Sequence, residues 1–229
     1  RRWWTNNSGI KEKMKRVAIC FWGQTRTFSV LEECYSKLKD DDIQFDFFVS
    51  TWDDFSNKEP FYDLCTDNEF IDDSGLEFKN HTDKASYLIL RVNGLKTKHE
   101  LENNFIYDYV LWTRSEISFE SEDLIKLFRD KVQNHKDLEL NLHNDLIRKD
   151  DDGYPYLSAD YFFLGTSLSF DLYSCGWKYY LKRDRDFKQG RHGGHNYHAY
   201  VIENLPFDVS VMNIPHKFQF SKLTDREVS

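Results

Sequence analysis

Val17 to Trp22 is a continuous apolar run of strand length, and Phe45 to Ser50 (FDFFVS) is a second. Between them Phe28, Leu31, Cys34, Tyr35 and Leu38 recur at helical spacing. Strand, helix, strand in so short a span predicts a parallel βαβ unit, because parallel neighbours need a crossover. Residues 53–82 are rich in Asp, Asn and Ser without a period, and predict an irregular insertion holding at most one short helix. From Ala85 onward Leu88, Ile89, Val92 and Leu95 predict a helix, interrupted only by Gly94 and fading near Asn103. It feeds YDYVLWTRS (107–115), a third strand. Ser121 opens a short helix with Glu122 and Asp123 in its first turn, the end of the dipole that favours acids. Residues 133–153 are polar and loop-like, with KDDDG as a turn; YLSADYFFLG (156–165) predicts another strand, and 167–182 and 195–204 predict helices. The order as a whole predicts an α/β domain, a mixed and mostly parallel sheet flanked by helices.

Composition narrows this picture. A chain of 229 residues suits one large domain, and 17% aromatic and 40% apolar residues supply a core. Charged residues at 31% and a mean hydropathy of −0.70 imply a well-wetted surface. The net charge of −8 argues against a protein that coats nucleic acid nonspecifically, and leaves a local basic patch open. Cys20, Cys34, Cys65 and Cys175 are widely spaced, with no zinc-site pattern, as expected of reduced thiols in a cytoplasm. No apolar run has membrane-spanning length, and the expected location is cytoplasmic. Residues 1–13, RRWWTNNSGIKEK, precede a Met14 that reads as a natural start, so they are expected to be an added or disordered leader to a domain over 14–229.

Three strand ends carry candidate chemistry: Gly23-Gln24-Thr25-Arg26, Thr51-Trp52-Asp53-Asp54 and Arg114-Ser115-Glu116. In a doubly wound sheet such ends converge on one edge, where ligands bind. Two arginines, several carboxylates and a tryptophan able to stack suit a nucleoside diphosphate. Singly, each has an ordinary alternative as a surface ion-pair partner or a solvated strand end.

VAICFWGQTRTF resembles the opening of a family of GT-A-like glycosyltransferases found in bacterial capsule clusters and large viruses, with its strand followed by Gly-Gln-x-Arg-x-Phe. FDFFVSTWDD is similar to that family's Thr-Trp strand end, YDYVLWTRSEISF to its Arg-x-Asp strand, and SADYFFLGTS to its Asp-x-Phe-x-x-Gly-Ser turn, together spanning about residues 15–175. The resemblance implies that Gly23, Gln24 and Arg26 cradle the nucleotide. It also sets Arg114 and Glu116 where the fold usually presents an Asp-x-Asp metal motif. With one carboxylate there, a divalent Mn or Mg ion is in doubt as a cofactor, and Arg26, Arg114 and Lys217 are candidates to supply its charge. Asp160, in the matched turn, is a candidate base for an acceptor hydroxyl, or else a loop cap. Glu116 is the other candidate catalytic carboxylate, and His216 resembles the late histidine that completes a metal site in many such enzymes.

The stretch 178–200 is the one strongly basic, aromatic-rich region of an acidic chain. Lys182, Arg183, Arg185, Lys188 and Arg191 among Tyr179, Tyr180, Phe187 and Tyr197 pair phosphate neutralisation with stacking, so they are candidate acceptor-binding residues. The alternative is a solvated helix end offset by Asp184 and Asp186. The expectation is therefore a hexosyl- or pentosyltransferase using a nucleoside diphosphate sugar, with UDP the leading nucleotide. Its acceptor is a hydroxymethylated base in DNA, as in a phage-like enzyme, or a glycan. A noncatalytic nucleotide-sugar-binding module is the rival from another class; a metal nuclease on Asp53, Asp54 and Glu116 lacks a paired-metal signature.

Overall fold

The computed structural model describes residues 14–23, 32, 35–53, 63–78, 81–133, 136–143, 147–149, 151, 153, 155–157, 162–183 and 194–218; within these, the side chains of 81, 132, 177–183, 194–197 and 217–218 are excepted. Most of the helix expected over 28–38 lies outside them.

A seven-stranded sheet forms the framework. β1 (Lys15–Trp22) lies between two parallel neighbours, β2 (Ile43–Trp52) and β4 (Tyr109–Arg114), in registers that set Trp22 opposite Ser50 on one side and Arg114 on the other. β3 (Asp67–Ile71) extends the sheet beyond β2 as a parallel edge strand. Beyond β4 come β9 (Phe162–Gly165), β6 (Glu139–His143) and β10 (Asp208–Met212). β9 is antiparallel to both its neighbours, whereas β10 runs parallel to β6. Six of the seven strands therefore point one way, and their carboxyl ends share an edge.

Helices cover both faces, which explains why β1 and β4 read as unbroken apolar runs rather than alternating ones. On one face Ala18, Cys20, Val110 and Trp112 pack with Leu88, Ile89 and Val92 of α1 (His81–Asn103), and with Phe170 and Tyr173 of α3 (Ser167–Arg183). Ala199, Val201 and Ile202 of α4 (Gly194–Glu203) join the same cluster. On the other face Val17, Ile19, Phe21 and Leu111 meet Leu124 and Phe128 of α2 (Ser121–Gln133). A two-stranded ribbon of β5 (Ile117–Phe119) and β11 (His216–Phe218) closes this second face near the carboxyl edge, and β7 (Arg148–Lys149) pairs with β8 (Pro155–Tyr156) apart from the main sheet. No helix among the described residues is long and apolar enough to cross a membrane.

The structure corrects the sequence reading in three places. The insertion expected to be irregular contributes β3, all five residues of which are only half-buried. The stretch 133–153, expected as loop, contains β6, a fully buried interior strand. Its sequence ELNLH alternates because Glu139 and Asn141 are hydrogen-bonded inside the protein and His143 is packed there. Glu139 accepts hydrogen bonds from Tyr109 Oη at 2.7 Å and Lys131 Nζ at 2.5 Å, and Asn141 donates to the Leu164 carbonyl at 3.1 Å. Finally, the strand expected over 156–165 is divided: Tyr156 belongs to β8, Leu157 to no strand, and Phe162–Gly165 forms β9 in the main sheet, with 158–161 outside the described residues. Gly165 is fixed by close approach: a Cβ there would lie 2.8 Å from the Glu139 carbonyl oxygen, and β9 could not sit between β4 and β6.

Candidate functional site at the carboxyl edge

From β1 the chain builds β2 and β3 to one side, then crosses back to lay β4 on the other. The strand order therefore reverses between β1 and β4, whose carboxyl ends are the usual position of a ligand site in such a sheet. One hydrogen bond joins the ends there, the Ser115 amide donating to the Trp22 carbonyl at 3.3 Å, and Ser115 Oγ is the side-chain atom nearest to where a Cβ on Gly23 would stand, 3.8 Å away. Gly23 turns the chain away from β1 with φ +108°, a conformation that side-chain-bearing residues rarely adopt.

Arg114 ends β4 opposite Trp22, and its guanidinium closes over the following turn onto Glu116. Nε donates to Glu116 Oε2 at 3.0 Å and Nη2 to Oε1 at 3.1 Å, a two-point pairing of fork and carboxylate. The Arg114 side chain is 36% exposed and that of Glu116 19%. The two candidate residues thus form one unit at the carboxyl end of β4.

On the next strand Thr51 and Trp52 are buried and Asp53 is exposed. The Asp53 amide donates to the Ile71 carbonyl at 2.9 Å, extending the β2–β3 pairing past the strand end. The Trp52 ring stacks on Tyr87 at 6.0 Å and meets the edge of Phe78 at 5.5 Å, with Lys84 Nζ 5.5 Å from its centroid. Its aromatic surface belongs to the core cluster. Trp22 Nε1 and Thr51 Oγ1, both near the carboxyl edge, are buried without a hydrogen-bond partner among the described residues.

Across β9 lies a second group that the sequence did not single out. His143 ends β6 at 2% exposure, and neither ring nitrogen has a hydrogen-bond partner among the described residues. Its ring packs 4.5 Å from Phe162 and stands perpendicular to His216 at 4.4 Å. Burial holds the His143 pKa down at about 4, with the neighbouring His216 acting in the same direction, so the ring is neutral. The alternation of Glu139, Leu140, Asn141, Leu142 and His143 was the available signal. Ser115 stood within the quoted strand end without a role of its own.

Of the expected site residues, Gly23, Arg114 and Glu116 come together at the β1–β4 reversal, and Thr51, Trp52 and Asp53 follow at the end of β2. His216 lies on the β11 ribbon, where its ring meets His143. Gln24, Arg26, Asp54, Asp160, Arg185, Lys188 and Arg191 lie outside the described residues. Lys182, Arg183 and Lys217 are described in backbone only.

The donor set does not fit a divalent cation well. Both oxygens of Glu116 face the Arg114 guanidinium, whose like charge would oppose a metal on that carboxylate. His216 is paired opposite Phe119, three residues along from Glu116, and its ring packs against His143, Phe119 and Phe162; its Nδ1 donates to the Ile214 carbonyl at 3.2 Å, which by itself leaves Nε2 open to a ligand. Among the described residues no group of three or more His, Cys, Asp and Glu is arranged to hold a metal ion. Comparison with protein-family models and with curated proteins gives no match.

Proposed function

We propose that this chain is a glycosyltransferase that carries a sugar from a nucleoside diphosphate donor, with UDP the leading nucleotide, to a hydroxyl acceptor. One observation carries the reading: the glycine turn after β1 and the Arg114–Glu116 pair after β4 adjoin at the strand-order reversal, linked by the Ser115–Trp22 hydrogen bond. That arrangement offers a tight backbone turn and a fixed cation to a diphosphate. The mostly parallel sheet flanked by helices is compatible with the GT-A-like resemblance, which assigns Gln24 and Arg26 to the nucleotide as well.

In this reading Arg26 and Arg114 hold the diphosphate, and Asp160 takes the proton of the attacking hydroxyl. The acceptor is a hydroxymethylated base in DNA, suggested by the basic aromatic composition of 178–191, or a glycan. A thermal-shift screen of nucleotide sugars, followed by transfer assays on 5-hydroxymethylcytosine DNA and on oligosaccharides, tests the proposal. A ligand at a hundred times its Kd adds about 2.7 kcal/mol of stability. Stabilisation by a UDP-sugar with transfer to either acceptor is the expected result; stabilisation by no nucleotide would overturn it. Donor binding without transfer would make the chain a noncatalytic nucleotide-sugar module. Asp160→Asn should spare donor affinity and lower turnover.

A further inference from the structure

We propose that the Arg114–Glu116 ion pair stands in the place of a divalent cation, so that the donor diphosphate binds and departs without metal. This rests on the nucleotide-sugar reading and assigns the two residues unlike roles: Arg114 meets the diphosphate, and Glu116 is a positioning residue that holds the guanidinium in place.

Two observations support the assignment. The pairing is two-pointed, through Nε and Nη2, and fixes the plane of the guanidinium as well as its position. Arg114 is opposite Trp22, the residue before the Gly23 turn, so its backbone is about one strand spacing, roughly 4.8 Å, from the β1 end. His216, the other metal ligand that the resemblance suggests, is paired opposite Phe119 on the β5–β11 ribbon, three residues along from Glu116, and packs its ring against His143.

The chemical step balances without a metal. The bond between the anomeric carbon and the β-phosphate oxygen breaks, and its electron pair stays on that oxygen. The acceptor oxygen forms the new bond to the anomeric carbon, and its proton passes to the base. The nucleoside diphosphate leaves with one more negative charge than it had as the sugar ester, and N–H groups of Arg114 supply hydrogen bonds and positive charge where that charge develops. A guanidinium stays protonated throughout, so the service needs no proton transfer.

Calorimetric titration of the full chain with UDP, once in EDTA and once in Mn²⁺, tests the proposal. The expected Kd values agree within about twofold. Arg114→Lys, which keeps the charge and loses the fork, should weaken UDP at least tenfold in both buffers. Glu116→Gln should weaken it severalfold, equally in both, and Glu116→Asp should recover part of the loss. Thermal melts of the three variants verify that each is folded. UDP binding that appears only with Mn²⁺, with Glu116→Gln erasing the metal effect, would overturn the assignment and leave the nucleotide-sugar reading standing. No UDP binding in either buffer would overturn both.

Discussion

Two pairings of cation and carboxylate in this protein show how differently the same chemistry is used. Inside, the Lys96 side chain is 0% exposed and reaches Glu100 and Asp171 at 3.0 Å each, with the Ser167 hydroxyl beside it. Glu100 in turn accepts from Ser167 Oγ at 2.7 Å and from the Tyr107 amide at 2.9 Å, while Asp171 accepts from Asn93 Nδ2 at 2.9 Å. The network ties α1 to α3 and to the segment entering β4. At the carboxyl edge, Arg114 reaches back over one turn to a carboxylate two residues away, with more than a third of its side chain in solvent. A buried ion without water is tolerable only when protein groups satisfy it, so the first cluster is a structural joint. The second gains little stability from a pairing that water also solvates, and its place at the strand-order reversal gives it a ligand to serve instead.

The comparison breaks most visibly at Lys96. Lys96→Met leaves the buried Glu100 carboxylate and the partly exposed Asp171 carboxylate without their cation, and should cost about 3 kcal/mol, most of it at Glu100. A thermal melt should fall by roughly 10 °C or more. A loss under about 1 kcal/mol would mean that the network is not the joint described.

A smaller effect, confined to acid, is expected at His143. The unfolded chain protonates this histidine near 6.5, whereas the folded chain holds it neutral down to about 4. The folded state therefore loses stability as pH falls from about 6.5 towards about 4, and His143 contributes no pH dependence above that window. Denaturant melts across the window should give a flatter curve for His143→Leu than for the unaltered chain. Parallel curves would show that the ring is protonated or solvated in the fold.

Arg114→Ala should shift stability by no more than about 1 kcal/mol while lowering UDP affinity at least tenfold, which is the inverse of the Lys96 behaviour. The exposed Lys136–Asp208 pair, 2.5 Å apart on the surface, is the reference for an ion pair with neither role. Lys136→Ala should leave both the melting temperature and UDP affinity unchanged. Equal loss of affinity in the two variants would reduce the Arg114 effect to long-range charge.

Much of the fold was legible because β1, β2 and β4 are buried on both faces and so spell apolar runs, and because α1 keeps its apolar spacing through Leu88, Ile89 and Val92. β6 was hidden by the polar residues Glu139, Asn141 and His143, which are buried through long-range partners or, for His143, through packing alone. β3 is half-buried at a sheet edge, and a short edge strand has little need of apolar side chains. At the site, the convergence of the strand ends followed from parallel topology. The pairing of Arg114 with Glu116 did not, since sequence gives spacing but not the turn that folds one onto the other. Trp52 read as a stacking platform because a strand-end tryptophan suggests one; Tyr87 and Phe78, from a helix and a loop more than twenty residues on, take up its surface.

The central claim is that a nucleoside diphosphate binds at the carboxyl ends of β1 and β4, and hydrogen–deuterium exchange with and without saturating UDP tests it most directly. The account predicts slowed exchange in peptides covering residues 21–28 and 112–119, with peptides over 93–103 of the Lys96 network unchanged. Slowed exchange at the Lys96 network or the β3 edge, with no change at the ends of β1 and β4, would contradict it.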